Sequence, residues 1–159
     1  MQLKNLTSCF TGHRNIPVNE YAAIQKRLEW VLNHFIDQGV RYFCAGGALG
    51  FDTMAAFSVL KLKQVFPHIQ LILLLPCKEQ TRGWGKENVQ NYHQILSQAS
   101  EVIYTSVGYY KGCMQKRNRQ LVDYSQFCIC YLTDRKSGTA YTVGYAKQQR
   151  LRIINLVNS

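Results

Sequence analysis

The chain has 159 residues, of which 47% are hydrophobic, and a formal net charge of +10 at pH 7. This length is typical of one domain with its own core, spanning residues 1–159, and the hydrophobic content excludes a disordered chain. The apolar runs are too short to cross a bilayer, and the first residues lack the apolar segment of a signal peptide. We therefore expect a cytoplasmic protein without membrane contact, whose positive charge favours an anionic ligand.

The six cysteines do not form a metal or disulfide pattern. Cys9, Cys44, Cys128 and Cys130 lie in apolar runs, which is typical of small buried hydrophobic side chains. No Cys or His pair has the usual spacing of zinc ligands. We therefore predict reduced thiols and no metal site.

Along the chain, the hydrophobic pattern alternates between strands and helices. A strand at residues 6–10 leads to a helix that Asn19 caps and that Gly39 ends. The predicted strands lie at residues 6–10, 40–45, 70–75, 101–104, 127–132 and 152–157. The predicted helices lie at residues 19–38, 53–65, 86–98, 111–124 and 139–149. This alternation predicts a three-layer α/β domain, with a mainly parallel sheet and helices on both faces.

A glycine-rich turn connects the second strand to the second helix. It contains Gly46, Gly47, Ala48 and Gly50. Glycine lets backbone amides approach an anion, and the helix start adds unpaired N–H groups and a positive dipole end. Asp52, in the first helical turn, either stabilises the helix start or accepts a hydrogen bond from a ribose or a base. The sequence predicts a phosphate-binding turn here, with a purely structural turn as the alternative.

A second turn of this kind starts the last helix at Ser137, Gly138 and Thr139. Its hydroxyls can cap the helix, or the turn can bind an anion. Both turns follow the carboxyl ends of predicted parallel strands, and ligands of such sheets bind beyond those ends. We therefore expect two amide-lined hollows that face each other and hold a negatively charged ligand together.

The first strand also ends in polar residues, namely Thr11, Gly12, His13 and Arg14. Arginine makes bidentate contacts to phosphate or carboxylate, and an exposed arginine without a ligand is the alternative. Histidine titrates near neutral pH, but no carboxylate in the sequence is positioned to orient this one. We therefore assign these four residues to ligand binding and not to catalysis.

Two further segments add candidate contacts. Gln80 and Trp84 lie in the loop after the third strand, where the indole either stacks on a base or anchors the loop. Arg117 and Asn118 belong to a basic run on the fourth helix, where they either fix polar groups of a ligand or form a solvated face.

Taken together, these motifs resemble the SLOG superfamily of Rossmann-like proteins and, within it, the YpsA-like family. The resemblance extends over residues 11–146 and rests on the order Thr11-Gly12-His13-Arg14, Gly46-Gly47-Ala48, Gly50-Phe51-Asp52, Pro76 with Gln80, Arg117-Asn118 and Ser137-Gly138-Thr139. It implies a Rossmann-like fold and a pocket for a nucleotide-derived ligand, such as an ADP-ribose-like molecule or a nucleoside phosphate. We favour the role of a sensor or signalling module, with no certain cofactor and no assigned catalytic residue.

A first alternative comes from the related Lonely-guy phosphoribohydrolases, which release a base from a nucleoside 5′-monophosphate. Arg117 matches the arginine of their signature, but Thr142 stands where that family has a glutamate. A threonine cannot ionise to serve as an acid or base, and losing such a group costs about 10²–10⁴-fold in rate. An enzyme is therefore the less favoured interpretation.

A second alternative comes from the related DNA-processing protein A family, which binds single-stranded DNA. The chain is similar to that family in the glycine turn, at Arg117-Asn118-Arg119 and at Ser137-Gly138-Thr139, and its net charge suits nucleic acid. No stripe of stacking aromatic residues is evident, so nucleic acid is a less favoured partner than a small ligand. Parallel α/β domains of this size often form homodimers, although no apolar stripe marks an interface.

Overall fold

The structure is a computed structural model that describes residues 3–158. The strands are β1 (Thr7–Gly12), β2 (Tyr42–Ala45), β3 (Gln70–Leu75), β4 (Glu101–Tyr104), β5 (Phe127–Tyr131) and β6 (Arg152–Asn155). The helices are α1 (Val18–Asp37), α2 (Phe51–Lys63), α3 (Lys86–Gln98), α4 (Cys113–Asp123) and α5 (Gly138–Gln148). Short 3-10 helices lie at Lys4–Leu6 and Leu156–Asn158. Of the helices described here, none combines the length and the apolar character that crossing a bilayer requires.

The strands form one sheet in the order β4-β3-β2-β1-β5-β6, and every neighbouring pair is parallel. The chain builds outward from β1 to β4 and then returns to place β5 on the other side of β1. Strand order therefore reverses at β1, where the loops after β1 and β5 diverge to opposite faces of the sheet. Ligands of open α/β sheets bind at such a point, beyond the carboxyl ends of the strands.

Helices cover both faces of the sheet, which confirms the predicted three-layer α/β fold. Side chains of α1, α2 and α3 share one core cluster with Phe10, Phe43 and Ile129 of the strands. Side chains of α4 and α5 share a second cluster with Cys9 and Cys128. Alternate residues of each strand point to opposite faces, so nearly continuous apolar strands are needed to supply both clusters.

All six cysteines are unpaired and buried. Burial raises the pKa of the Cys44 thiol and raises the pKa of the Cys130 thiol to about 12. Because the thiolate is the reactive form, these side chains act as packing groups of the core.

Several boundaries near the site differ from the predicted ones by one or two residues, and local contacts explain those of α1 and β1. Helix α1 begins at Val18, with Pro17 as the flanking residue and no capping bond from a side chain, so Asn19 does not cap it. Proline already has the φ of a helix start, and the Pro17 carbonyl accepts from the N–H of Glu20 at 2.9 Å. Strand β1 continues to Gly12 because that residue still pairs with Tyr131 of β5.

Candidate functional site

An open polar cavity of about 590 Å³ lies beyond the carboxyl ends of β1 and β5, at the reversal of strand order. Most of the predicted site residues line it, namely Thr11, Gly12, His13, Arg14, Ala48, Asp52, Gln80, Arg117, Asn118, Ser137, Gly138 and Thr139. The other predicted residues, Gly46, Gly47, Gly50 and Trp84, do not line it. The parallel sheet thus brings distant polar segments to one edge, while their binding roles remain predictions.

The start of α5 forms one wall of the cavity. Ser137 has an extended backbone, and its Oγ accepts a hydrogen bond from the N–H of Ala140 at 3.1 Å. The next two amides, those of Gly138 and Thr139, occupy the first helical positions, where no carbonyl one turn earlier can accept from them. Both residues line the cavity. Ser137 therefore caps the helix, and two residues whose amides lack an acceptor within the helix line the cavity at the positive end of the helix dipole.

The glycine turn before α2, which is predicted to bind phosphate, contacts an acidic side chain of its own chain. The N–H of Ala48 donates to Asp52 Oδ2 at 3.2 Å, and the Thr53 hydroxyl donates to the Ala48 carbonyl at 3.0 Å. Asp52 is only 7% exposed. The Ala48 amide of the turn thus binds a carboxylate of its own chain, because Asp52, in the first turn of α2, folds back onto it.

The glycines of this turn allow close packing of the protein against itself. Gly47 and Gly50 have φ angles of +72° and +75°, which L side chains rarely adopt. A Cβ at Gly50 would lie 2.0 Å from the backbone oxygen of Arg14, and one at Gly46 would lie 2.7 Å from Nη1 of Arg117. The structural alternative therefore accounts for these glycines.

The Arg117 side chain is buried, with 5% of its surface exposed, and it bonds to groups of the protein itself. Its Nη1 donates to the Gly46 carbonyl oxygen, and its Nε donates to Asn118 Oδ1 at 2.7 Å. The same Gly46 oxygen accepts from Gln80 Nε2 at 3.0 Å. Two donors, from α4 and from the loop after β3, therefore hold the glycine turn in place. This inward role was not predicted, although the guanidinium still borders the cavity.

Burial and neighbouring charges shift the pKa values of Asp52 and Arg117, both of which line the cavity. Burial raises the pKa of Asp52 to about 6, while Arg117 and the amides of Ala48 and Gly46 oppose the rise. Burial lowers the pKa of Arg117, and nearby Arg14 adds to this lowering while Asp52 opposes it. Among the described residues, the ion pair within 4 Å is Lys61 with Glu29, so neither cavity arginine has a direct carboxylate partner.

Arg14 is exposed at the rim of the cavity. In the described part of the chain, its guanidinium makes no hydrogen bond and no ion pair. A second carboxylate, that of Asp134, also borders the cavity, but its Oδ1 accepts from the N–H of Lys136 at 2.9 Å. Arg14 is therefore available to a ligand without breaking an existing bond.

His13 connects β1 to the loop after β5. Its Nε2 accepts from the N–H groups of Thr133 and Asp134 at 2.9 and 3.2 Å, so this nitrogen carries no proton. The ring packs edge-on against Tyr131, with 5.7 Å between centroids. His13 thereby positions the loop that leads to the α5 start. Thr133 and Asp134 are cavity residues that sequence reasoning missed, because no motif marks them.

Trp84 lies beside the main cavity and not in it. The indole is half-buried and packs edge-to-face on Tyr92 at 5.6 Å, a contact that anchors the loop, while its stacking on a base stays a prediction. It lines an adjoining cavity of about 490 Å³. The two cavities share Arg14, Gln80 and Met114. Met114 was not predicted as a site residue, although its position three residues before Arg117 places both on one helix face.

Thr142, which replaces the glutamate of the hydrolase signature, faces its own helix. It is buried, and its hydroxyl donates to the Gly138 carbonyl at 3.0 Å. It is not among the residues that line the cavity. Within the described residues, no group of three or more His, Cys, Asp or Glu side chains is arranged to hold a metal ion.

Similar sequences occur in bacteria of the Bacillus group. A UPF0398 protein of Halalkalibacterium halodurans is 35% identical over 130 residues, which cover 80% of this chain and 69% of the relative. The SPbeta prophage-derived protein YoqJ of Bacillus subtilis is 33% identical over 141 residues, covering 80% and 82%. The UPF0398 protein YpsA of Bacillus subtilis is 25% identical over 130 residues, covering 80% and 72%.

Solved structures of DNA processing protein A share the fold. The Helicobacter pylori protein superposes with a TM-score of 0.67 at 20% identity, covering 96% of this chain and 69% of that one. The Streptococcus pneumoniae protein superposes with a TM-score of 0.66 at 16% identity, covering 92% and 48%. The chain thus spans about half the length of the second protein, and at these identities the likeness concerns the fold alone.

The family follows from a match over nearly the whole chain. The sequence model of the YspA SLOG family matches residues 9–155. This range includes the β1 end, the glycine turn and the α5 start, the segments on which the resemblance was based. The chain therefore belongs to the YspA SLOG family.

Proposed function

We propose that the cavity binds a small phosphate-bearing nucleotide or nucleotide-derived ligand, such as a nucleoside phosphate or an ADP-ribose-like molecule. The protein would then act as a sensor or signalling module. One observation carries this proposal: the free amides of Gly138 and Thr139 and the unpartnered guanidinium of Arg14 line the same cavity, where strand order reverses.

The phosphate is assigned to the α5 start. Two amide donors and the helix dipole favour an anion there, and Arg14 can add a charge-assisted bidentate contact. Burial is the main cause of the lowered pKa of Arg117, and repulsion by the nearby charge of Arg14 adds to it. A bound anion offsets this repulsion, so its binding is favoured by the charges already present.

The remainder of the ligand is assigned to the polar walls of the cavity. A volume of about 590 Å³ lies within the usual range of small-molecule sites, roughly 300–1,000 Å³. Arg117 uses the Asn118 carbonyl, so the amide N–H groups of Asn118 are left to donate to a ligand. Thr11 and Asp52 add a hydroxyl and a carboxylate suited to ribose hydroxyls.

Calorimetric titration with AMP and ADP-ribose tests this proposal. We expect Arg14→Ala to weaken binding by about 10- to 100-fold, because a hydrogen bond to a charged group contributes roughly 1.5–3 kcal/mol. Arg152→Ala is the matched control, since Arg152 is exposed on β6 and outside the cavity. Equal losses in both variants would indicate diffuse electrostatics, and wild-type protein that binds neither compound would contradict the proposal.

Single-stranded DNA binding is the second candidate function. Exposed Tyr104, Tyr109 and Tyr110 lie at and after the end of β4, and Lys78 lies 5.7 Å from the centroid of the Tyr104 ring. Aromatic side chains interleaved with cations are typical of surfaces that bind single strands. The Helicobacter pylori protein that shares the fold is described as binding single-stranded DNA.

Oligonucleotide titration at two salt concentrations tests the second candidate. Contact with several phosphates makes the logarithm of the affinity fall by about 0.7 per phosphate for each tenfold rise in salt. If the tyrosine surface binds the strand, Tyr110→Ala weakens binding and Arg152→Ala changes it little. Absence of binding at low salt would exclude this function.

A further inference from the structure

We propose that the ligand is a purine nucleotide that occupies both cavities, with its phosphate at the α5 start and its base between Trp84 and Tyr109. This inference rests on the proposed function and specifies the class of ligand. It assigns the adjoining cavity, of about 490 Å³, as the base subsite.

The two cavities adjoin each other. Arg14, Gln80 and Met114 line both of them, so the same side chains border the phosphate end and the second cavity. Arg14 is exposed and unpartnered, which leaves it free to contact a ligand that passes from one cavity to the other. An extended molecule with a charged end therefore fits better than a compact anion.

The second cavity presents aromatic and apolar walls. The Trp84 ring packs edge-to-face on the Tyr92 ring, and the Trp84 backbone N–H donates to the Thr81 carbonyl at 3.0 Å. Tyr109 lines the same cavity and is 65% exposed. Leu49 adds an aliphatic surface. Aromatic walls favour a flat aromatic group through stacking, and Trp84, which is already held, loses little side-chain freedom when such a group binds.

The polar groups of the second cavity include an acceptor that suits a base. Gln80 is 6% exposed and uses its amide nitrogen to bind Gly46, and in the described part of the chain its Oε1 is buried without a partner. This oxygen has almost no accessible surface and lies near Gly47, so it is not presented to a ligand. The acceptor that this cavity presents is the carboxylate of Glu79, which lines it and is exposed. Adenine and guanine each supply an exocyclic amino donor on a large flat ring.

The chain allows a direct optical test, because Trp30 and Trp84 are its two tryptophans. Trp30 is 69% exposed on α1, so Trp30→Phe leaves Trp84 as the single reporter. This variant is titrated with AMP, GMP, UMP and ribose 5-phosphate, with both calorimetry and tryptophan fluorescence. We expect AMP and GMP to bind at least about tenfold more tightly than ribose 5-phosphate, and to change the Trp84 emission where ribose 5-phosphate does not.

A second variant tests the other wall. Tyr109→Ala is expected to weaken AMP and GMP binding about fivefold or more and to leave ribose 5-phosphate binding unchanged. Tyr141→Ala, an exposed tyrosine on α5 outside both cavities, is the control and should change neither.

The outcomes separate the two proposals. If ribose 5-phosphate binds as tightly as AMP and GMP, or if the Trp84 emission never changes, the base subsite is wrong while phosphate binding stands. UMP binding as tight as that of AMP and GMP overturns the assignment of a purine. If none of the four compounds binds, both proposals fail.

Discussion

Gly50 lies where the loop after β1 passes over the start of α2. Its φ of +75° and the 2.0 Å between a built Cβ and the Arg14 oxygen exclude a side chain on two separate grounds. Gly83 has a similar φ of +83° but open space around a built Cβ. We expect Gly50→Ala to lower the free energy of unfolding by at least about 2 kcal/mol more than Gly83→Ala does. Strain at positive φ costs about 1–3 kcal/mol in both variants, and the clash with the Arg14 oxygen adds a further cost only in Gly50→Ala.

Thermal unfolding measures this difference as a melting temperature that is about 4–8 °C lower for Gly50→Ala than for Gly83→Ala. Equal melting temperatures would contradict the close approach of the Arg14 backbone to the glycine turn.

Asp52 makes the stability of the protein depend on pH in a predictable direction. Its pKa is about 6 in the folded state against an ordinary value of 3.8, so the folded state holds the proton more tightly. The resulting stabilisation is fully present below about pH 4 and is lost as the pH rises through about 6. We expect the free energy of unfolding of wild type, relative to Asp52→Asn, to fall by about 3 kcal/mol across this window.

Urea unfolding of both proteins between pH 4 and pH 7 checks this prediction. Asn is the suitable replacement because its side-chain oxygen can still accept from the Ala48 N–H. A difference between the two proteins that stays constant with pH, or that rises, would show that Asp52 is ionised without a burial cost.

Helix α5 offers a way to remove one proposed phosphate donor and keep the fold. Gly138 is the first helical residue, where proline is well tolerated, and a built Cβ there meets nothing within 4 Å. Ser137 before it is extended, with φ −121° and ψ 167°, as a residue before proline should be. We expect Gly138→Pro to fold normally and to bind AMP about tenfold or more weakly, since one N–H is lost.

Gly138→Ala is the matched control, because it adds a Cβ and keeps the N–H. It should bind AMP like the wild type. If the proline and alanine variants bind equally well, the helix start does not hold the phosphate, whatever the affinity of the wild type.

The reactivity of the six buried thiols tests the packing of the whole molecule. Burial raises the pKa of Cys44 and Cys130, and a hydrogen bond with Cys9 together with burial raises that of Cys128, so both access and ionisation oppose their reaction. We expect a disulfide reagent to modify fewer than one thiol per native molecule within minutes and all six in denaturant. Rapid modification of the native protein would indicate local opening of the core, and fewer than six thiols in denaturant would indicate a disulfide.

Much of the architecture was predictable from local pattern. The bounds of β3, α3 and β4 agree with the predicted ones. These elements depend on signals that act over a few residues, so the signals can be recognised in the sequence. They are periodic burial, Gly85 before α3 and the glycine after α1. The α/β alternation also predicted that polar residues after different strands would meet, since parallel strands end at one edge of a sheet.

The inner arrangement of the site depended on contacts between segments that are distant in the chain. Gly46 turns its carbonyl toward Gln80 and Arg117, and Asp52 occupies the turn that was predicted to hold phosphate. No local pattern encodes this, because a glycine-rich turn before a helix suits an internal carboxylate as well as an external phosphate. Which anion it receives is decided by burial and by the charges that other loops bring to it, and these exist only once the chain is packed.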